Sequence, residues 1–388
     1  MNSPLRVAMI GNGFMGATHS QGWRTAPRVF DLDLQPEMAV MVGRNPEKNA
    51  QLAAKWGWAE ASEDFEAVLS RDDIDVIDIV TPGDLHHDMA IAALRAGKHV
   101  LCEKPLANTV EQAQEMADAA ATARANGIVA MVGFTYRRVP AVAFARQLVE
   151  RGAVGQIRQV RAQYLQDWLA DPGSPLTWRL DKSKAGSGAL GDIGAHAVDL
   201  AQFVTGLNLT EVSGVMETFV KERPVLAEGQ GLSGSAGTET GPVTVDDYAA
   251  FHGRFDSGAL GLFEATRFAT GRKNALRLEV SGDKGSLAFD FEDMNVIEYY
   301  DATAPSTEQG FRRIFVTEAE HPYLEAWWPP GHGLGYEHGF SHQVRDLVQA
   351  IAAGEQATPT FDDGYQVQRV LDAVERSSAR GSAWTATQ

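Results

Sequence analysis

Cysteine is almost absent from this chain: Cys102 is the single one in 388 residues. No intrachain disulfide can form, and such usage fits a reducing compartment. Basic residues are also in deficit, with 34 Lys plus Arg against 51 Asp plus Glu, for a net charge of −17. A field of that sign repels phosphate backbones and anionic lipid, which argues against nucleic-acid and membrane partners. It still leaves room for a charged substrate in a local basic pocket. No apolar run approaches the roughly 18 residues that a membrane span needs. The opening MNSPLRVAMIG enters a strand-like run without a long apolar stretch before it, so a cytoplasmic location is expected.

What is present is the composition of a globular protein, 44% hydrophobic and 22% charged, with 38 glycines scattered without a period. The length favours two domains over one core. Short apolar runs at 5–10, 37–43, 75–80, 99–103 and 128–134 alternate with helical patterns at 46–56, 65–69, 86–96 and 110–126, and Asn45 is placed to cap the first of these. That alternation marks a parallel sheet covered on both faces. The fold class is therefore α/β, with an N-terminal Rossmann doubly wound parallel sheet over residues 1–134.

From 135 to 388 the pattern changes. Period-2 alternation at 156–165, 211–220 and 247–267, and a run at 276–291 turning at 282–285, predict an α+β domain with a large, mainly antiparallel sheet. Helices are expected at 188–205, 338–353 and 362–378. The Gly/Ser/Thr-rich stretch at about 226–242 reads as a mobile loop.

GNGFMG supplies Gly11, Asn12, Gly13, Phe14, Met15 and Gly16 immediately after the first strand and at the start of a helix. In that context the pattern is a dinucleotide fingerprint: a tight turn at Gly11, close pyrophosphate approach at Gly13 and helix–strand packing at Gly16. An acid at the end of the second strand would accept ribose hydroxyls. Gly43, Arg44 and Asn45 stand there instead, so the cofactor is NAD or NADP, with Arg44 leaning toward the 2′-phosphate of NADP. Thr81 and Pro82 end the third Rossmann-type strand and are expected to line the cofactor cleft. His86 either joins that cleft or caps its helix.

HVLCEKPLA (99–107) ends an apolar run with Glu103 and Lys104, and packing gives no reason for that. Together, TPGDLHHDMAIAALRAGKHVLCEKPLA (81–107) and GSGALGDIGAHAVDL (186–200) resemble the glucose–fructose oxidoreductase/inositol dehydrogenase/rhizopine-catabolism (Gfo/Idh/MocA) family. Within it, 164–179 and 361–367 look most like levoglucosan dehydrogenases and related bacterial sugar or cyclitol dehydrogenases. The resemblance implies an open C-terminal sheet whose exposed face mediates a homodimer or homotetramer. It also implies catalytic importance for Lys104, Asp192 and His196, and its nearest members point to NAD.

Oxidising a carbinol requires a hydride acceptor, a proton acceptor and charge stabilisation at oxygen. Asp192 and His196, four apart, would share a helix face, so that the carboxylate orients an imidazole base. The small residues before them would let that helix start close to something bulky, such as a nicotinamide ring. Lys104 would stabilise the reacting oxygen, and Glu103 would orient the lysine and border the cofactor. Tyr136, Gln166, Trp168 and Arg179 are candidate contacts to a polyhydroxylated, uncharged substrate, alongside Lys104, Asp192 and His196. His338 and His342 have chelating spacing, but no third ligand accompanies them and hydride chemistry needs none, so no functional metal site is expected. The leading reading is an NAD(P)-dependent dehydrogenase of a sugar, anhydrosugar or cyclitol. The rivals are an NAD-dependent glycoside hydrolase of the same fold and a non-catalytic dinucleotide-binding regulator.

Overall fold

A computed structural model of the chain describes residues 4–228 and 235–388. The chain divides into two compact units. One comprises Met1–Arg138 with Tyr323–Tyr365, the other Val139–Pro322 with Gln366–Gln388.

The first unit contains strands β1 (Leu5–Ile10), β2 (Pro36–Val42), β3 (Glu60–Ser62), β4 (Val76–Ile79), β5 (His99–Cys102) and β6 (Ala130–Val132). They form a wholly parallel sheet in the order β3-β2-β1-β4-β5-β6. Helices α1 (Phe14–Val29), α2 (Pro46–Trp56), α3 (Phe65–Leu69), α4 (His86–Arg95) and α5 (Val110–Arg124) connect them. The strand order reverses between β1 and β4, which is where doubly wound sheets open a ligand crevice. Both faces are covered, so β4 is buried along its whole length even though Asp78 lies within it.

The segment 323–365 belongs to this unit and not to the second domain, where the sequence division at 134/135 had put it. The cause is apolar packing. Val344, Leu347 and Val348 join Trp23, Ala26 and Phe30 of the first unit in one buried cluster. A helix with a strong apolar stripe carries no mark of which core it will fill.

The second unit contains α6 (Pro140–Glu150), β7 (Ile157–Leu165), α7 (Lys182–Ala185), α8 (Ala195–Thr205), β8 (Leu209–Glu217), β9 (Glu222–Glu228), β10 (Ser235–Pro242), β11 (Tyr248–Phe255), β12 (Leu260–Thr266), β13 (Ala275–Gly282), β14 (Gly285–Asp290), β15 (Val296–Asp301), β16 (Phe311–Phe315) and β17 (Thr385–Ala386). Helix α9 (His338–Ala353) lies in the first unit, and α10 (Phe361–Ala379) crosses the chain boundary at Tyr365. Nine of these strands make one sheet, β16-β15-β14-β13-β7-β12-β11-β8-β17, antiparallel except for the β7–β12 pair. Helices α6 and α8 pack on one face. On the strands, Val215, Leu260 and Leu262 remain 47%, 49% and 42% exposed.

The mobile loop expected at about 226–242 is corrected by the structure. Strands β9 and β10 pair antiparallel as a separate ribbon, and residues 229–234 lie outside the described residues. The ribbon is anchored by Arg223, whose buried guanidinium donates to Leu169 O and Asp171 O, each at 2.7 Å, beneath the Phe268 ring. Such a long-range anchor overrides a composition that reads locally as loop.

Candidate active site

In the first unit, Gly11 has φ +116°, and a side chain there would lie 2.8 Å from Val80 O, so only glycine lets β1 turn so close to the end of β4. Gly13 is the N-cap of α1, with no side-chain cap and no acid in the first turn. Those orphan N–H groups and the positive helix end suit the pyrophosphate of a dinucleotide. Gly16 is buried on the inner face of α1, and Met15 packs against the core.

Asn12 donates to Asn49 Oδ1 at 3.0 Å, and Asn49 in turn donates to Met41 O and Ser62 O at 2.9 Å. The Gly43 N–H meets Ser62 O at 2.9 Å, which ties the end of β2 to β3. Arg44 is exposed, and Asn45 caps α2 by accepting the Lys48 N–H at 2.9 Å.

Thr81 and Pro82 follow β4 and are half-buried. His86 is buried, with Nε2 3.0 Å from Thr81 O and Nδ1 3.0 Å from Pro105 O. Burial lowers its pKa. Its ring therefore links the turn after β4 to the turn after β5 through backbone carbonyls. Lys104 is half-buried, the Lys104–Pro105 peptide is cis, and the Lys104 N–H donates to Glu103 Oε2 at 3.2 Å. Glu103 itself is turned inward and 3% exposed.

Phe14 is 59% exposed, and its ring stacks at 6.4 Å on Tyr336, which meets Tyr136 at 6.5 Å. Tyr336 was not singled out in the sequence. It comes from residues 321–342, rich in proline, glycine, histidine and aromatic residues, a composition that suggests a loop folding over the pocket without singling out Tyr336. His342 in the same stretch has both ring nitrogens in use. Its Nδ1–H donates to Arg138 O and its Nε2 accepts the Trp327 N–H, both at 2.8 Å. His338 Nδ1 accepts the Gly335 N–H at 3.0 Å. Among the described residues no group of three or more His, Cys, Asp or Glu is arranged to hold a metal.

In the second unit, the helix expected at 188–205 opens as a π-helical turn, Leu190–Gly194, closed by the Ala195 N–H on Leu190 O, before α8 begins. Asp192 sits in that wider turn and His196 in the first turn of α8, so the simple four-residue face relation does not describe them. Such π turns recur at functional sites.

The turn is held by Asp246. Its carboxylate accepts from Gly188 N at 2.6 Å and Leu190 N at 2.8 Å, and its carbonyl accepts from Ala189 N at 3.0 Å. A side chain at Gly188 would lie 1.8 Å from Asp246 O. Gly188 thus admits Asp246 against the start of the turn. Burial raises the Asp246 pKa, opposed by the bonds from Leu190 and Gly188 and by the charge of Arg267.

Arg267, fully buried, donates to Asp192 Oδ2 at 3.3 Å and to Asp246 O at 3.2 Å, and lies 5.4 Å from the centre of the Trp168 ring. The Tyr164 ring meets His196 edge-on at 5.8 Å, and its hydroxyl donates to Asn274 Oδ1 at 2.7 Å. Gln166 Nε2 donates to the same oxygen at 2.8 Å, and Trp168 Nε1 donates to Gln166 Oε1 at 2.9 Å. A polar chain from Trp168 through Gln166, Asn274 and Tyr164 thus ends against His196. Arg179 lies 4.4 Å over the Trp178 ring. Tyr164, Asp246, Arg267 and Asn274 went unnoticed in the sequence. Arg267 was the findable one, since it closes an alternating strand whose inner face is otherwise apolar.

Residues 5–134 match the model of the oxidoreductase family with NAD-binding Rossmann fold, and residues 142–288 match the GFO/IDH/MocA C-terminal domain. The chain belongs to the Gfo/Idh/MocA oxidoreductases. It is 43% identical over 383 residues to levoglucosan dehydrogenase of Pseudarthrobacter phenanthrenivorans, covering 97% of each chain. Among solved structures it resembles an oxidoreductase domain protein from Kribbella flavida, at 61% identity and TM-score 0.95 over 100% of both chains. A levoglucosan dehydrogenase in complex with NADH and L-sorbose superposes with TM-score 0.93 at 41% identity, again over 100% of both chains. As a family member this chain is an NAD-linked oxidoreductase, and its first unit carries the NAD-binding Rossmann domain. No helix among the described residues is long and apolar enough to cross a membrane.

Proposed function

We propose that this oxidoreductase oxidises a secondary hydroxyl of a small polyhydroxylated sugar, with 1,6-anhydro sugars such as levoglucosan as the leading class. The observation that carries the reading is the 43% identity to a levoglucosan dehydrogenase across 97% of both chains. When bound, the dinucleotide supplies a hydride acceptor. The chain supplies the rest. His196, oriented by Asp192, takes the hydroxyl proton, and Lys104 stabilises the negative charge that grows on the same oxygen. Arg267 supports this assignment because it fixes one oxygen of Asp192 from a fully buried position. Tyr136, Gln166, Trp168 and Arg179 hold the sugar through aromatic faces and planar hydrogen-bonding groups.

NAD is the proposed cofactor, and the exposed Arg44 allows NADP to be used as well. The protein works in the cytoplasm as a homodimer or homotetramer joined through the nine-stranded sheet, where Val215, Leu260 and Leu262 are exposed. The test is a panel of sugars, anhydrosugars and inositols assayed for dihydronicotinamide absorbance with NAD and with NADP. Reduction with an anhydrosugar supports the reading. Release of an aglycone without net cofactor reduction, or dinucleotide binding without turnover of any panel member, overturns it.

A further inference from the structure

Three ionisable side chains meet inside the first unit, shielded from water. His19 on α1, Asp78 in β4 and Glu103 after β5 are 1%, 0% and 3% exposed. His19 Nδ1 lies 2.9 and 3.0 Å from the two oxygens of Asp78, and Nε2 lies 3.0 Å from Glu103 Oε1. An imidazole satisfies two acceptors on opposite nitrogens only when both carry protons, so the geometry calls for an imidazolium between two carboxylates. Trp23 completes Asp78 by donating to Oδ2 at 2.7 Å. The second Glu103 oxygen accepts the Lys104 N–H.

We propose that His19 is a positioning residue for Lys104, acting through Glu103: the imidazolium keeps the Glu103 carboxylate turned inward, where it holds the backbone of the residue that follows it. The inference rests on the role given to Lys104 above. Stability alone gives a weak reason for such a cluster, since apolar groups of similar volume usually serve a core as well as a buried ion triad does. Position gives a better one. His19 lies six residues past Gly13, on the helix whose start is shaped for the dinucleotide. One buried pin therefore joins the cofactor-binding helix to the strand end that presents Lys104.

The surrounding groups do not replace the pin. The Cys102 thiol is buried with its pKa raised, the His86 pKa is lowered by burial and its ring faces backbone carbonyls, and the Tyr336 hydroxyl is pushed up by burial and by Tyr136 and Glu103. The Phe340 ring, 5.4 Å from the His19 ring, adds no charge.

The test uses the full chain with NAD and levoglucosan, comparing His19→Gln, Glu103→Gln, their combination and Lys104→Met. Glutamine at 103 keeps the volume and can still accept from His19, but it turns an amide toward the Lys104 N–H, so this variant reports even where His19→Gln does not fold. The expected result is a kcat lowered about 10- to 100-fold in His19→Gln and in Glu103→Gln, with the fluorescence-measured NADH affinity within about threefold of wild type. The double variant should fall about as far as one single variant, because both act through the same link. Independently of turnover, an amine-reactive reagent followed by peptide mass spectrometry should label Lys104 faster in both single variants, with Lys182 as the unchanged control.

Unchanged kcat or unchanged Lys104 labelling in Glu103→Gln overturns the inference. So does multiplication of the two single losses in the double variant, or NADH affinity falling in parallel with kcat. A Lys104→Met enzyme that still turns over removes the role of the lysine itself. An inert Lys104→Met beside a fully active His19→Gln removes only the pin.

Discussion

His342 offers a measurement whose size follows from its surroundings. It is fully buried in α9, stacked on Tyr323 at 4.3 Å and edge-on to Phe30 at 5.8 Å. Its Nδ1–H is spent on Arg138 O and its Nε2 on the Trp327 N–H, which fixes a neutral tautomer. Burial takes its pKa down from 6.5 to about 3, against the pull of the Arg138 carbonyl and of Asp346.

As pH falls from 6.5 toward 3, the unfolded chain gains a proton here that the folded chain refuses, so stability is lost across that window. At pH 5 the loss amounts to about 2 kcal/mol, from one and a half pH units below the unfolded pKa. That corresponds to about 4–8 °C in Tm for a unit of this class.

The perturbation is His342→Gln, whose amide can make the same two hydrogen bonds and does not titrate. It costs packing at every pH, so the informative quantity is the gap between wild type and variant. That gap should narrow by about 2 kcal/mol between pH 7.5 and pH 5, measured by urea unfolding or calorimetry. Other histidines lowered by burial, His86, His99 and His321, titrate alike in both proteins and cancel. His338 is also lowered and its charge acts on His342, so both proteins being compared carry His338→Gln. His19 carries the opposite sign. Raised to about 10 by Asp78 and Glu103 against its own burial, it stabilises below pH 6.5 and is lost as pH climbs toward 10. A gap that stays constant from pH 7.5 to 5 would show that His342 is charged when folded, and the tautomer argument would fall.

Three further outcomes are expected. Lys104→Ala should lower kcat by at least about a thousandfold while NADH binding, followed by fluorescence, stays within about threefold of wild type; equal losses in both would make the lysine a binding or folding residue. Arg44→Asp should move the ratio of kcat/KM for NADP over NAD toward NAD by about tenfold or more, and an unchanged ratio would show that Arg44 meets no 2′-phosphate. Gly188→Ala should destabilise the second unit by about 2–3 kcal/mol or more in thermal unfolding, because its added carbon would lie 1.8 Å from Asp246 O; an unchanged Tm would mean the π turn yields freely.

The first unit was legible because each of its rules is local. A run such as LRVAMI needs only burial on both faces to read as a parallel strand, and GNGFMG needs only its place between strand and helix. The π turn was not legible. GALGDIGAH has ordinary helical composition, and what widens it is Asp246, some fifty residues later, taking the N–H groups of Gly188 and Leu190. No pattern within the helix encodes an acceptor supplied from elsewhere. The return of 338–353 to the first core and the β9–β10 ribbon escaped for the same reason, since both are settled by long-range packing.

Buried charge lies between these cases. Asp78 interrupts the apolar strand DVIDIV and His19 sits on the inner face of α1, and neither position has a packing reason to be ionisable. Glu103 raised that question from the sequence because it stood beside Lys104. The other two raise it equally, yet a single charge in an apolar run is silent until its partner is known. Only when β1, β4 and β5 lie side by side do the three become one object with a common hydrogen-bonding logic. A charged residue in a buried strand is therefore best read as half of a pair, and the search for its partner belongs on the helix that packs across that strand.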